Sequence, residues 1–245
     1  MEASSLFWEL ANRDRLNILK LLEKEKRKLS HIAEEVNESV QETYRNLSRL
    51  MKVKLVDKDR EGYYTLTTFG KYILTVLPSL EFLCKHREYF LTHDLSRIPE
   101  EFIYRIGELN SSRQAPDTFT AIRYTEIVIG ESREYVWIIT EQILVSALQS
   151  IPGKISENIS FKIIIPYKLK PPPGAEILEK IKLDVRYIDR IDVALILNEK
   201  RACIAFPRLS GEIDYRGFLV EDPKGHNWCK NLFQYYWNKS KYTRI

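Results

Sequence analysis

The chain has 245 residues, 44% of them apolar and 29% charged, with a formal net charge of +4; this is an ordinary globular balance, long enough for two cores. No apolar run reaches the length needed to cross a bilayer, and Met1 to Arg15 interrupts its apolar residues with Glu2, Glu9 and Asp14, unlike a secretory signal, so a cytoplasmic protein is expected. The charge excess is too small to mark a nonspecific coat on nucleic acid.

In chain order, Ser4 to Glu23 places Leu6, Phe7, Leu10, Ile18, Leu19 and Leu22 at helical spacing. Ser30 is expected to cap a short helix that buries Ile32, Ala33 and Val36 and stops near Asn37. Ser39 then opens a second helix. Glu42, three residues on, completes a Ser-x-x-Glu capping box, and Val40, Tyr44, Leu47 and either Leu50 or Met51 form the expected apolar stripe. Gln41, Thr43, Arg45, Asn46, Ser48, Arg49 and Lys52 then project to the other side. Leu55 and Val56 start a strand running to Lys58, and Tyr63 to Leu66 return it across a turn in which Gly62 supplies a positive φ.

Helix, turn, helix and two-stranded ribbon, in that order, predict a winged helix-turn-helix. The exposed ridge of its second helix suits a major groove, where Arg forks onto guanine and Asn or Gln onto adenine. The expected DNA-binding residues are therefore Gln41, Thr43, Arg45, Asn46, Arg49 and Lys52, with Lys58 and Arg60 on the ribbon reaching phosphate or the minor groove. The stretches SVQETYRNLSRL at Ser39–Leu50, LV at Leu55–Val56 and YTLTTFG at Tyr64–Gly70 resemble archaeal winged-helix regulators grouped with the ArsR and MarR repressors. That resemblance, over the first third of the chain, implies binding to double-stranded DNA. The metal-sensing relatives carry paired cysteines in the helix before the recognition helix, and His31, Glu34 and Glu35 stand there instead.

Lys71 to Leu91 reads as an apolar helix broken near Leu77 by Pro78. Its apolar content fits a homodimer seam or burial within one subunit. Asp94 to Ser112 leads through Ser96–Pro99 into a helix with Phe102, Ile103, Ile106 and Leu109, and NSSRQAPD at Asn110–Asp117 reads as a linker. The rest alternates: helix at Thr118–Ser132, strand at Tyr135–Thr140, helix at Glu141–Ser150, strand at Phe161–Ile165, a Pro171–Pro173 lead into a helix at Ala175–Ile181. Strands follow at Val185–Ile188, Val193–Leu197 and Ala202–Phe206, an edge strand at Tyr215–Val220, and a closing helix at Pro223–Trp237. Nearly continuous apolar strands predict a sheet covered on both faces. The expected organisation is α+β followed by α/β: a winged-helix domain at 1–70, a helical linker and dimerisation region at 71–115, and an α/β effector-binding domain at 116–245.

His93-Asp94-Leu95, Pro99 and Arg105–Leu109, with Asp222-Pro223, Trp228-Cys229, Leu232-Phe233 and Tyr236-Trp237, resemble the corresponding domain of an archaeal family known from methanogenesis control. More distantly they resemble the phospholipase-D-like sensor domain of sugar-responsive archaeal repressors. No His-x-Lys nucleophile motif, GxSxG, GxxxxGK or HExxH is present, so no catalytic residue is assigned and no enzyme is expected. The three cysteines, Cys84, Cys203 and Cys229, and the four scattered histidines predict neither disulfide, metal site nor cofactor. Ligands of open sheets favour the carboxyl ends of strands, which nominates Thr140, Tyr167, Lys168 and Arg190 for a small effector. The leading expectation is a homodimeric, effector-controlled transcription regulator; a phosphodiesterase or nuclease, and an architectural DNA-coating protein, are the alternatives.

Overall fold

A computed structural model describes residues 2–142, 153–154, 158–169 and 183–242. The chain divides into two compact units, Met1–Pro78 and Ser79–Ile245. Among the described residues no helix is long and apolar enough to cross a membrane.

In the first unit the expected long opening helix is two, α1 (Ala3–Leu10) and α2 (Arg13–Lys24). Asn12 separates them because its side chain accepts hydrogen bonds from the Asp14 and Arg15 amides and starts a new helix. After the short strand β1 (Arg27–Lys28) comes α3 (Leu29–Val36), which begins one residue before the expected cap, with Lys28 at that position and no side-chain cap. Asn37 ends α3 in the left-handed region, at φ 57°. Ser39 caps α4 (Val40–Lys52) by accepting from the Glu42 amide. β2 (Val56–Lys58) and β3 (Tyr63–Leu66) form the ribbon, and β1 joins it to give a three-stranded antiparallel sheet ordered β1-β3-β2. Ile18, Leu19, Ile32, Leu47, Leu50, Leu55 and Tyr64 make the fully buried centre. Gly70 is required here, since a Cβ would come 2.2 Å from the Leu55 carbonyl oxygen.

α5 (Thr68–Lys85) runs unbroken through Pro78, where a break was expected. Proline removes one amide donor, and the remaining turns on either side carry the helix across that gap. Pro78 instead marks where the compact units divide.

The second unit contains a seven-stranded sheet ordered β4-β10-β9-β8-β5-β6-β7. Its strands are β4 (Arg113–Gln114), β5 (Tyr135–Ile139), β6 (Ser160–Pro166), β7 (Asp184–Ile188), β8 (Ala194–Leu197), β9 (Ala202–Ala205) and β10 (Phe218–Val220). β5, β6 and β7 are parallel and the others antiparallel. The stretch read as a linker supplies β4, and β10, expected at an edge, lies between β4 and β9. Linker-like composition did not prevent pairing because Arg113 and Gln114 contribute backbone alone to the ladder, leaving exposed side chains.

The helices are α6 (Arg87–Phe90), α7 (Glu100–Tyr104) with a 3₁₀ turn at Ile106–Leu109, α8 (Thr118–Gly130), and α9 (Pro223–Lys239). One large core joins Phe82, Phe102 and Leu109 to Leu195, Leu197, Trp228 and Phe233. Val128 and Ile129 of α8 meet Val136, Phe161 and Ile196 in a separate cluster, so alternate residues of β5 and β8 feed different cores, as a sheet with two covered faces requires. The helix expected at Glu141–Ser150 lies largely outside the described residues, as does all of that at Ala175–Ile181 with its prolines. The N-terminal winged helix, followed along the chain by a mixed α/β sheet, is the fold class expected from the sequence.

Candidate nucleic-acid interface

α3 and α4 are joined by the left-handed residue Asn37 and the Ser39 cap, which turns α4 across α3. The core fixes the rotation of α4. Leu47 and Leu50 are fully buried, and the residues one turn before them, Thr43 at 0% and Asn46 at 6% exposure, are carried inward with them. Their expected place was the solvent-facing ridge. They are accommodated inside because Glu38 accepts from the Thr43 hydroxyl and from Asn46 Nδ2, each at 3.3 Å, so neither polar group is buried unpaired.

Two residues assigned to the apolar stripe go the other way: Val40 is 53% and Tyr44 52% exposed. Val40 opens the helix beyond the end of the core, and Tyr44 lies on the flank of the true stripe. The exposed surface of α4 thus consists of Val40, Gln41, Glu42, Tyr44, Arg45, Arg49 and Lys52. Spacing alone could have identified it, since Leu47 and Leu50 fix the stripe once Thr43 and Asn46 are admitted as buried polar residues.

The guanidiniums on this surface differ in their engagement. Arg45 meets Glu42 at 3.0 Å in an exposed i,i+3 pair of little energetic weight. Arg49 makes a bidentate pair with Glu9 of α1, at 2.9 and 2.8 Å, and Arg15 meets the same carboxylate at 2.9 Å. Hydrogen bonds from Arg49 hold the Glu9 carboxyl below its ordinary range against the opposing effect of burial, with Arg15 adding to the depression. Arg49 is therefore half exposed but anchored, joining α4 to the first helix.

On the ribbon, Lys58 and Arg60 are exposed as expected. Sequence reading missed β1, which brings Lys26 and Lys28 beside the hairpin; the signal was the run Lys24-Glu25-Lys26-Arg27-Lys28. Lys26 and Lys28 Nζ lie 4.7 and 5.0 Å from the Tyr63 ring centroid, and Lys58 Nζ lies 5.2 Å from that of Tyr64. Lys26 is also tied to Asp59 at 3.2 Å. Among the described residues Lys28, Lys52, Lys54, Lys58 and Arg60 enter no ion pair, so a set of cations remains available for phosphate oxygens. Asp59 shapes the turn by accepting from the Glu61 and Tyr63 amides, and Gly62 follows at φ 88°.

In the second unit Thr140, Tyr167 and Arg190 follow the parallel strands β5, β6 and β7. Thr140 is buried, donates to the Gln142 carbonyl and lies 3.2 Å from the Tyr215 hydroxyl. Tyr167 stacks on Tyr187 at 5.8 Å, Arg190 pairs with Asp192 at 3.0 Å, and Lys168 is exposed. A tighter cluster, unseen in the sequence, surrounds Asp214: Arg216 at 2.8 Å, Arg208 at 3.1 Å and buried His93 at 3.4 Å. Burial works to raise the Asp214 carboxyl pKa, but hydrogen bonds from Arg216 and His93 hold it below its ordinary value. Burial also pushes the neighbouring Tyr215 phenol up to about 12. Nothing in the local sequence marks this cluster, which gathers residues from both ends of the unit.

No family model and no curated protein matches the chain. Among solved structures, TrmBL2, an archaeal chromatin protein whose structure shows a novel mode of DNA binding, aligns at a TM-score of 0.46 with 15% identity, over 95% of this chain and 94% of that one. Nuc from Salmonella typhimurium, a phospholipase D family member, aligns at 0.41 with 9% identity, over 55% of this chain and 97% of that one. An O-methyltransferase from neocarzinostatin biosynthesis, NcsB1, reaches 0.25 with 14% identity, over 74% of this chain and 61% of that one. The winged-helix assignment rests on this chain's own helices, caps and three-stranded ribbon.

Proposed function

We propose that this chain binds double-stranded DNA through α4 and the β1-β3-β2 ribbon, as an architectural protein with modest sequence selectivity. The observation that carries the reading is the division of labour in the first unit. Asn46 and Thr43, which the sequence offered as base readers, are buried on Glu38, and Arg49 is anchored to Glu9, while Lys28, Lys52, Lys58 and Arg60 remain free for phosphates. Phosphate contacts give affinity with little sequence information. Gln41 and Arg45 are the hydrogen-bonding side chains left to meet base edges.

The second reading is the homodimeric, effector-controlled regulator. What favours it is the second compact unit, where Asp214 gathers His93, Arg208 and Arg216 around one carboxylate close to the Thr140 end of β5. A footprint growing with protein concentration along random duplex supports the architectural reading, and two protected half-sites about one helical turn apart support the regulator.

The core test is a titration of random-sequence duplex DNA in a salt series, comparing the wild type with the triple variant Lys28→Ala, Lys58→Ala, Arg60→Ala. Removing one phosphate-binding cation flattens the logarithmic salt dependence by about 0.9. We expect a slope roughly 2–3 smaller and weaker binding at every salt concentration. Unchanged affinity and slope would overturn the ribbon as the phosphate-binding element.

A further inference from the structure

We propose that Val40 and Tyr44 contact the C5-methyl groups of thymines in the major groove, giving the interface a preference for A·T base pairs. The inference rests on the reading of α4 as the helix that enters the groove. Val40 is the first residue of α4 and Tyr44 lies one turn later, at 53% and 52% exposure, on the surface they share with Gln41 and Arg45. In helix-turn-helix proteins the N-terminal residues of the recognition helix are those that reach base edges.

Isolated exposed apolar side chains are common and need no explanation. These two are paired along one helix, and three of the side chains suited to hydrogen-bonded readout have been withdrawn beside them: Thr43 and Asn46 point inward and Arg49 is held by Glu9, leaving Gln41 and Arg45. The same compact unit exposes Arg45 and Lys52 on α4 and Lys28, Lys58 and Arg60 on the ribbon. A polyanion carrying small apolar groups matches that combination of charge and surface. Of the four bases, thymine alone presents a methyl group in the major groove.

The experiment compares binding of the full chain to the alternating copolymers poly(dA-dT) and poly(dA-dU), which carry the same backbone charge and base-pair hydrogen bonding but differ in that methyl group. The wild type should prefer the thymine polymer by about fourfold for each methyl buried. In the double variant Val40→Ala, Tyr44→Ala the ratio should fall to about one, while the salt slope, set by the unaltered phosphate-binding cations, stays the same. Tyr44→Phe should keep the ratio, since the ring and not the hydroxyl makes the contact. Equal wild-type affinity for the two polymers overturns the inference while leaving DNA binding intact, and so does a ratio that survives the double variant. A change in oligomeric state on making that variant, with no change in the ratio, would assign the pair to a second copy of the chain and overturn it too. Failure to bind either polymer would overturn the DNA-binding reading itself.

Discussion

The second helix of the helix-turn-helix and the ribbon beside it both carry cations, and the two arginines of the helix are held differently from Lys28 and Lys58 of the ribbon. On α4, Arg45 and Arg49 lean on the carboxylates Glu42 and Glu9; on the ribbon, Lys28 and Lys58 lie over the rings of Tyr63 and Tyr64. A carboxylate neutralises the cation it positions, whereas an aromatic face positions one and leaves its charge intact. The difference separates positively charged residues that organise the domain from those free to meet an anion, a distinction that counting charges along the chain does not make.

The strongest way to break the comparison is to loosen α4 from its core. Leu47→Ala should cost about 3 kcal/mol of unfolding free energy, since a fully buried leucine leaves a cavity. Urea unfolding followed by the α-helical signal measures it. A change below about 1 kcal/mol would mean that Leu47 does not set the rotation of the helix. The same variant should lose base preference, because Val40, Gln41 and Arg45 depend on that rotation for their direction.

A smaller effect sharpens the contrast within α4 itself. Asn46→Ala should lower stability by about 1 kcal/mol by removing its hydrogen bonds to Glu38, yet leave relative affinity for different duplexes unchanged once the protein is folded. Gln41→Ala should do the reverse, changing stability by no more than about 0.5 kcal/mol while altering base preference. The two variants exchanging these behaviours would restore the arrangement expected from the sequence.

The smallest effect is visible only in acid. With its pKa depressed below the ordinary 4.5, Glu9 contributes stability that is fully present above the unfolded-state value and lost as pH falls through the folded one. The stability difference between wild type and Glu9→Gln should therefore be level above about pH 5 and shrink steadily below about pH 4.5. Thermal melts from neutral to acidic pH measure this, and a difference that stays constant across the acid range would show that the Glu9–Arg49 contact adds nothing to folding. Base preference should not follow that titration, because Arg49 organises α4 while Val40, Gln41 and Tyr44 face outward.

Much of the fold was legible from local signals. The left-handed Asn37, the Ser39 cap and Gly62 in the ribbon turn act within a few residues of themselves, and each stands where its chemistry predicted. The apolar strands from Tyr135 onward were readable for the same reason. The sequence misleads where a polar residue is buried: Thr43 and Asn46 read as surface because their acceptor, Glu38, stands outside α4, five and eight residues back, and Val40 and Tyr44 read as core in their place. Among the expected effector residues, Thr140 proved buried beside Tyr215, a partner that spacing along the chain does not reveal.

What the sequence by itself determined is the order of elements and the class of fold, since caps, turns and hydrophobic periodicity operate over less than a dozen residues. Beyond local pairs such as Arg45–Glu42, tertiary structure decided which cations are spoken for. Glu9 reaches Arg49 across 40 positions, β1 pairs with β3 to set Lys28 beside Tyr63, and Asp214 meets His93 across 121 positions. Such contacts depend on how helices and strands stack, and the free charge left for an anion is what remains after those long-range pairs have formed.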